Sequence, residues 1–348
     1  MKFDVFLPSL LVSPDWFADS APPRLPAIEM LMARGVSSIG GEWPDILLAA
    51  FGANGAAAAR AAAFAALGDG LDSGDNGWMF AEPAHFQADR DTLNLLPRAQ
   101  LDITADETTQ LMSALNENFA NRGLAFFCGA SGHWYVNCRT DDLPQTTSIV
   151  SARRGALFDK LPVSAGKLSW KAIQNETQML FHSHAVNAAR ETAGKLTING
   201  LWFWGEGALP KLPIGLKPGI GAVFGDTPLS SGLAKWIGAR FATLDRLSIV
   251  EPAAHATHNV LAIDTLTTLY ERGDIDAWRT AATRLDGQIF TPLLDRLRAG
   301  TVDELVLTLP RGSDSLVFTI DAGSLRGIIG WWKNLTQQTQ PFLASLRA

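Results

Sequence analysis

From Ser169 onward, short apolar runs alternate with helical stretches, and strands separated by helices favour a mainly parallel sheet with helices on both faces. The strand-like runs are Ile198–Trp204, Ile220–Phe224, Leu247–Val250 and Leu305–Leu309. A helix is predicted through Trp170, Ile173, Thr177, Leu180, Phe181 and His184, with Gln174, Asn175 and Gln178 on its polar back. Nearer the start, Phe3–Val12 reads as a first buried strand that ends in Ser13-Pro14-Asp15, and Pro26–Arg34 as a helix closed by Gly35. An alanine-rich helix is predicted over Ala56–Leu67, between Asn54-Gly55 and Gly68. Alanine has little bulk, so this helix is expected to pack closely against a neighbour.

The texture changes at Asp72–Gly77, a turn-rich segment that makes the best domain boundary. Trp78–Leu96 and Leu124–Arg139 look like strands and hairpins. The helix Ala105–Asn121 lies between them, with Thr104 and Glu107 at capping-box spacing. The predicted organisation is an α/β core from 1–77 and 167–348 with a small inserted α+β domain at 78–166. A chain of 348 residues with 47% apolar and 18% charged residues has the length and composition for a large core. With 29 basic against 35 acidic residues and no basic run, a nucleic-acid partner is not expected, although a local positive pocket for a small anion is compatible with these numbers. The apolar run near the N-terminus is too short for a membrane span, and two cysteines, Cys128 and Cys138, suit a reduced protein. The expectation is a cytoplasmic protein with no membrane partner.

The chemistry-bearing stretch is His182–Pro210, HSHAVNAARETAGKLTINGLWFWGEGALP. It sets two histidines, two asparagines, an arginine, a lysine and two glutamates around the aromatic run Leu201-Trp202-Phe203-Trp204. Buried polar groups need partners. Two readings are therefore open, a ligand site or a polar seam joining helix to strand. As a site, Arg190 and Lys195 would hold a phosphate or carboxylate, with Asn187 and Asn199 on hydroxyls. Trp202 and Trp204 would wall the pocket, with Glu206 just beyond them.

His184, Asn187, Arg190, Gly194-Lys195, Asn199, Trp202, Trp204-Gly205, Gly207 and Pro210 resemble the signature of the archaeal-type cofactor-independent phosphoglycerate mutases. That signature reads H-P-x-N-x-x-R, G-K-x-P-x-N and W-x-W-G-x-G; Ala185 and Thr197 replace its prolines. Ala81–Leu93 and the segment leading into His184 look similar to a bacterial branch of RpfE-type regulatory proteins. The resemblance implies an alkaline-phosphatase-like α/β core with a smaller inserted domain, two divalent metals and a serine nucleophile. It also implies that His184 belongs to the binding set.

Several catalytic parts of that pattern are replaced. The family's Asp-Gly at the end of strand one meets Leu7-Pro8-Ser9, and its P-G-S-D-like nucleophile turn meets Glu42-Trp43-Pro44-Asp45. No serine or threonine lies between Ser38 and Ser73, and no Asp-His pair occurs anywhere. The family's D-E-x-G-H segment aligns loosely with Ile249–His258. There Glu251, His255 and His258 would share one face of a helix and are the weak metal candidates. His85, Asp89 and Arg90 form a compact polar group, Arg153-Arg154 read as a solvated turn, and Trp331-Trp332 as a packing cap. The expected function is a phosphoglycerate-mutase-like protein without catalysis that binds a phosphorylated or carboxylated small molecule, with no resident cofactor. Two alternatives compete with it. One is a working metal-dependent mutase or phosphohydrolase using manganese or magnesium; the other is a structural protein with no ligand.

Overall fold

The structure is a computed structural model that describes residues 1–17, 21–53, 61–71, 74–89, 92–152, 157–212, 219–244, 258–312 and 314–326. In chain order the strands are β1 (Lys2–Phe6), β2 (Val36–Gly40), β3 (Gly77–Asp89), β4 (Thr92–Leu96), β5 (Ala125–Cys128) and β6 (Trp134–Cys138). There follow β7 (Gly200–Ala208), β8 (Ile220–Gly225), β9 (Arg240–Ala242), β10 (His258–Ala262), β11 (Glu304–Pro310) and β12 (Ser315–Asp321). The chain divides into two compact units, one of 1–52, 215–230 and 237–348, the other of 53–214 and 231–236.

The first unit holds a seven-stranded sheet in the order β2-β12-β11-β1-β10-β8-β9. From β11 to β9 the pairs are parallel, and β12 and β2 are antiparallel additions at one edge. Phe3, Val5, Leu305 and Leu307 project from neighbouring strands into a core shared with the helices Pro26–Arg34, Ile275–Leu285 and Thr291–Ala299. The helix Pro26–Arg34 runs as the sequence predicts, with proline in its first turn and the Gly35 N–H returning to Leu31. Its start is tied down from afar: the buried Asp286 carboxylate accepts the N–H groups of Ala27 and Ile28 at 3.2 and 2.8 Å. The first strand stops at Phe6 rather than Val12 because Ser9 takes a left-handed backbone with φ +57°, which cannot continue a strand.

The second unit is built on the long strand β3, which pairs antiparallel with β6, β7 and β4. β5 completes the sheet beside β6. Met79, Ala81, Trp134, Val136, Leu201 and Phe203 point to the face covered by the helices Ala105–Phe119, Trp170–His182 and Ala185–Thr192. The capping box predicted at Thr104 and Glu107 is formed in both directions. Here the chain departs from expectation. The run at 198–204 reads from sequence as a strand of the parallel core, whereas β7 pairs along β3 in the antiparallel sheet and gives Leu201 and Phe203 to that unit's core. The second compact unit, which holds β7, spans 53–214 and 231–236. The alanine-rich helix, described over Ala61–Gly68, belongs to it and packs as closely as its composition suggests: a Cβ at Gly232 would lie 1.7 Å from the Phe64 carbonyl oxygen. Leu247–Val250 lies outside the described residues. Among the described residues, no helix is long and apolar enough to cross a membrane.

Candidate functional site

The polar signature of residues 184–206 folds into a bracket within the second unit. His184 caps the helix Ala185–Thr192, its ring Nδ1 accepting the Val186 N–H at 3.2 Å. Asn187 is buried; its amide donates to the Phe181 and Ile198 carbonyls at 2.7 and 2.8 Å, and its oxygen accepts the Ile198 N–H at 2.8 Å. Arg190, only 2% exposed, donates from Nε to the Leu196 carbonyl at 2.7 Å, from Nη1 to Glu107 at 2.8 Å and from Nη2 to the Leu101 carbonyl. Burial pushes the Glu107 carboxyl up, while the Thr104 N–H and the Arg190 guanidinium pull it further down; the net position is below the ordinary carboxylate value. Asn199 reads the Phe86 backbone in both directions, accepting its N–H at 2.7 Å and donating to its carbonyl at 2.9 Å.

The strand residues of the signature are equally committed. Trp202 is fully buried, with its indole N–H on the Thr147 carbonyl at 3.1 Å. Trp204 stacks on Phe80 at 4.5 Å between centroids, and its indole N–H meets no hydrogen-bond acceptor among the described residues. Glu206 accepts the Thr146 N–H at 3.2 Å and the Thr146 hydroxyl, while burial pushes its carboxyl up. Lys195 is exposed and so differs from the other basic member of the predicted set. Of the polar group in the 78–96 stretch, His85 bonds the Thr197 carbonyl at 2.8 Å; Arg90 lies outside the described residues, as do Arg153-Arg154 and Trp331-Trp332.

Ligands of open α/β sheets bind at the carboxyl ends of the strands. In the first unit that edge carries Ser9 after β1, Asp226 after β8 and Asp264 after β10. Asp226 accepts the Asp264 N–H at 2.8 Å on one oxygen and the Thr265 hydroxyl at 2.6 Å on the other. The Ser9 hydroxyl donates to Thr267 Oγ1 at 3.1 Å, and the Thr267 hydroxyl donates to the Asp264 carboxylate at 2.5 Å. Ser9 is held from behind as well, its carbonyl accepting the Trp278 indole N–H at 2.9 Å. Neither aspartate was singled out from sequence. The usable signal was an aspartate directly after an apolar strand, in FGDTP and AIDTL.

The metal candidates fall elsewhere. Glu251 and His255 lie outside the described residues. His258 does not close a helical turn but begins β10, at the amino end of the strand, where its Nε2 meets Asp4 at 2.7 Å. His258 opens β10 and Asp264 lies two residues past its other end, so the two stand at opposite sheet edges and cannot serve one site. Among the described residues, no three His, Cys, Asp or Glu side chains gather as a metal-binding group. Cys128 sits opposite Trp134 and Cys138 opposite Gly77, so the two thiols do not face each other across the hairpin.

No protein-family model matches the chain. Its sequence is distantly homologous to the 2,3-bisphosphoglycerate-independent phosphoglycerate mutase of Methanosarcina barkeri (strain Fusaro / DSM 804), 24% identical over 226 residues. The match takes in 60% of this chain and 56% of that protein, so the chain spans just over half the length of this curated relative. Among solved structures, the PH0037 protein from Pyrococcus horikoshii aligns with a TM-score of 0.50 and 16% identity, over 92% of this chain and 87% of that one. The cofactor-independent phosphoglycerate mutase from Thermoplasma acidophilum DSM 1728 aligns at 0.45 and 16%, over 92% and 90%.

Proposed function

We propose that this chain is a phosphoglycerate-mutase-like protein that has given up phosphoryl transfer and serves instead to bind a phosphorylated or carboxylated metabolite in a regulatory role. The carboxyl edge of the parallel sheet carries this reading. The segment after β10 reads Asp264-Thr265-Leu266-Thr267-Thr268, an aspartate followed by threonines with no second carboxylate or imidazole among them. Asp226 and Asp264 are joined by hydrogen bonds to this chain's own N–H and hydroxyl groups. Two metals beside a reacting phosphate need several carboxylate and imidazole ligands, and a threonine hydroxyl is a poor substitute for either. Asn187 and Arg190 are spent on backbone carbonyls, so the anion-binding role assigned to them from sequence finds no support in their geometry. Lys195 is the member of that set whose charge reaches solvent.

The test is a mutase assay with 3-phosphoglycerate and added manganese, together with the metal content of protein purified without chelator. The expected results are no interconversion, far less than one equivalent of metal, and a rise in melting temperature with 3-phosphoglycerate. Turnover with about two equivalents of metal would overturn the reading. One observation favours that alternative. Ser9 stands at the end of β1 with a left-handed backbone, its hydroxyl linked through Thr267 to Asp264, and strained residues of this kind collect at functional sites. If the protein is active, Ser9→Ala abolishes turnover while leaving the melting temperature within a few degrees.

A further inference from the structure

Residues 129–133 join β5 to β6, and three charged side chains from elsewhere in the second unit close on that turn. Asp69, just past the helix Ala61–Gly68, accepts the Ser131 N–H at 3.0 Å on one oxygen. Its other oxygen accepts the Ser131 and Tyr135 hydroxyls, each at 2.7 Å. Arg98, in the short helical turn Arg98–Gln100 after β4, donates from Nη1 to the Gly132 carbonyl at 3.1 Å. Glu82 of β3 is only 4% exposed; it sets one oxygen 2.5 Å from His133 Nδ1 and the other 3.6 Å from Arg98 Nε. The closure is tight, for a Cβ at Gly129 would lie 2.0 Å from an Asp69 carboxylate oxygen.

Charge decides when this arrangement holds. Around His133 stand Glu82 on β3, Arg98 after β4 and Asp69 after the helix, with Cys128 and Tyr135 on the hairpin itself. Burial pushes the Cys128 thiol and the Tyr135 phenol up, so both stay neutral near pH 7. The two carboxylates are therefore matched by Arg98 and His133 only while the imidazole carries its proton. Without it, two carboxylates face one guanidinium, and an unmatched charge at the buried Glu82 is strongly unfavourable. Burial alone pushes His133 down, but the Glu82 carboxylate outweighs it and the net position is above the ordinary 6.5. With 32% of its side chain exposed, His133 exchanges that proton with solvent while the turn stays closed. We infer that the turn at 129–133 is a pH-sensitive latch, closed by the His133 imidazolium on Glu82 and released when the proton leaves. The latch has its full strength below 6.5 and loses it as pH rises through the closed-state value of His133. His133 also meets the Phe80 ring edge-on at 5.7 Å, and Phe80 stacks on Trp204, so release bears on the strand that carries the signature tryptophans. None of this depends on whether the protein binds an anionic metabolite.

Amide hydrogen exchange followed by NMR from about pH 6 to about pH 9 tests the latch. The Gly129 and Gly132 amides, bonded within the turn to the His133 and Gly129 carbonyls, report its closure. Their protection factors are expected to fall as pH rises, about tenfold for each unit by which the His133 midpoint lies above 6.5. Titration of the His133 ring signals supplies that midpoint independently. His133→Gln keeps a donor for Glu82 but has no proton to lose, and is expected to give low protection that does not vary with pH. Glu82→Gln is expected to bring the His133 midpoint down to 6.5 or below and to remove the step, and it serves where His133→Gln fails to fold. A wild-type His133 midpoint at or below 6.5 overturns the proposal. So does a pH step that survives either substitution, or a loss of protection shared evenly along β3, β6 and β7, which would belong to the whole unit rather than to the turn.

Discussion

Arg190 shows how much a single side chain can be asked to hold. Its three nitrogens tie the loop at Leu196, the turn at Leu101 and the capping residue Glu107 of a distant helix. Truncating it leaves the Leu101 and Leu196 carbonyls without this donor and removes the buried guanidinium from Glu107, which keeps only the Thr104 N–H, so Arg190→Ala is expected to cost about 3–5 kcal/mol in urea unfolding. Arg190→Lys recovers little, because an ammonium cannot serve three acceptors set in a guanidinium's plane. Without any ligand present, a melting temperature unchanged in Arg190→Ala would show that the bracket is not structural. The Glu107 carboxyl is held below its ordinary value, so its contribution is present above the unfolded carboxylate value and is lost as pH falls through the folded one. Glu107→Gln should therefore lower stability most at neutral pH, least in strong acid, and flatten the acid limb of the stability profile between them.

At the scale of elements, close approach decides what is tolerated. The helix Ala61–Gly68 buries six consecutive residues from Ala61 to Ala66, and the backbone of Phe64 lies where a side chain at residue 232 would begin. Gly232→Ala puts a methyl group against a carbonyl oxygen that cannot rotate away. The expected loss is about 1–3 kcal/mol or more, although alanine would stabilise an isolated helix at that position. A gain in the melting temperature of Gly232→Ala would contradict the packing. Elements also decide the fate of the strand signals. The capping box at Thr104 and the helix Pro26–Arg34 were legible because their signals are local, a hydroxyl and a glutamate three residues apart or a proline and a glycine at the two ends. The pairing of β7 was not legible, because an apolar run with alternating aromatics satisfies a parallel core strand and an antiparallel one equally well.

Across the described residues, one core gathers around Phe3, Leu305 and Leu294, another around Trp134, Trp170 and Phe203, and a smaller cluster around Phe86 and Trp202. If the two units open separately, Arg190→Ala will lower hydrogen-exchange protection in β3, β6 and β7 and spare β1, β10 and β11. An even loss over all six strands would mean one cooperative structure. The sequence by itself determined the α/β alternation, the helix ends and the distant kinship to phosphoglycerate mutases, because these depend on periodicity, capping chemistry and motif spacing within a few tens of residues. Only the tertiary structure decided what the signature residues do. Asn187 and Arg190 have the same donors whether they meet a phosphate or a backbone carbonyl, and the residues that meet them, Ile198, Leu101 and Glu107, are set by how the chain returns on itself. The tertiary structure likewise brought Ser9 to one edge with Asp226 and Asp264, which lie more than two hundred residues further along the chain. A parallel sheet gathers the ends of its strands regardless of their distance in the chain, and no local pattern records which ends those will be.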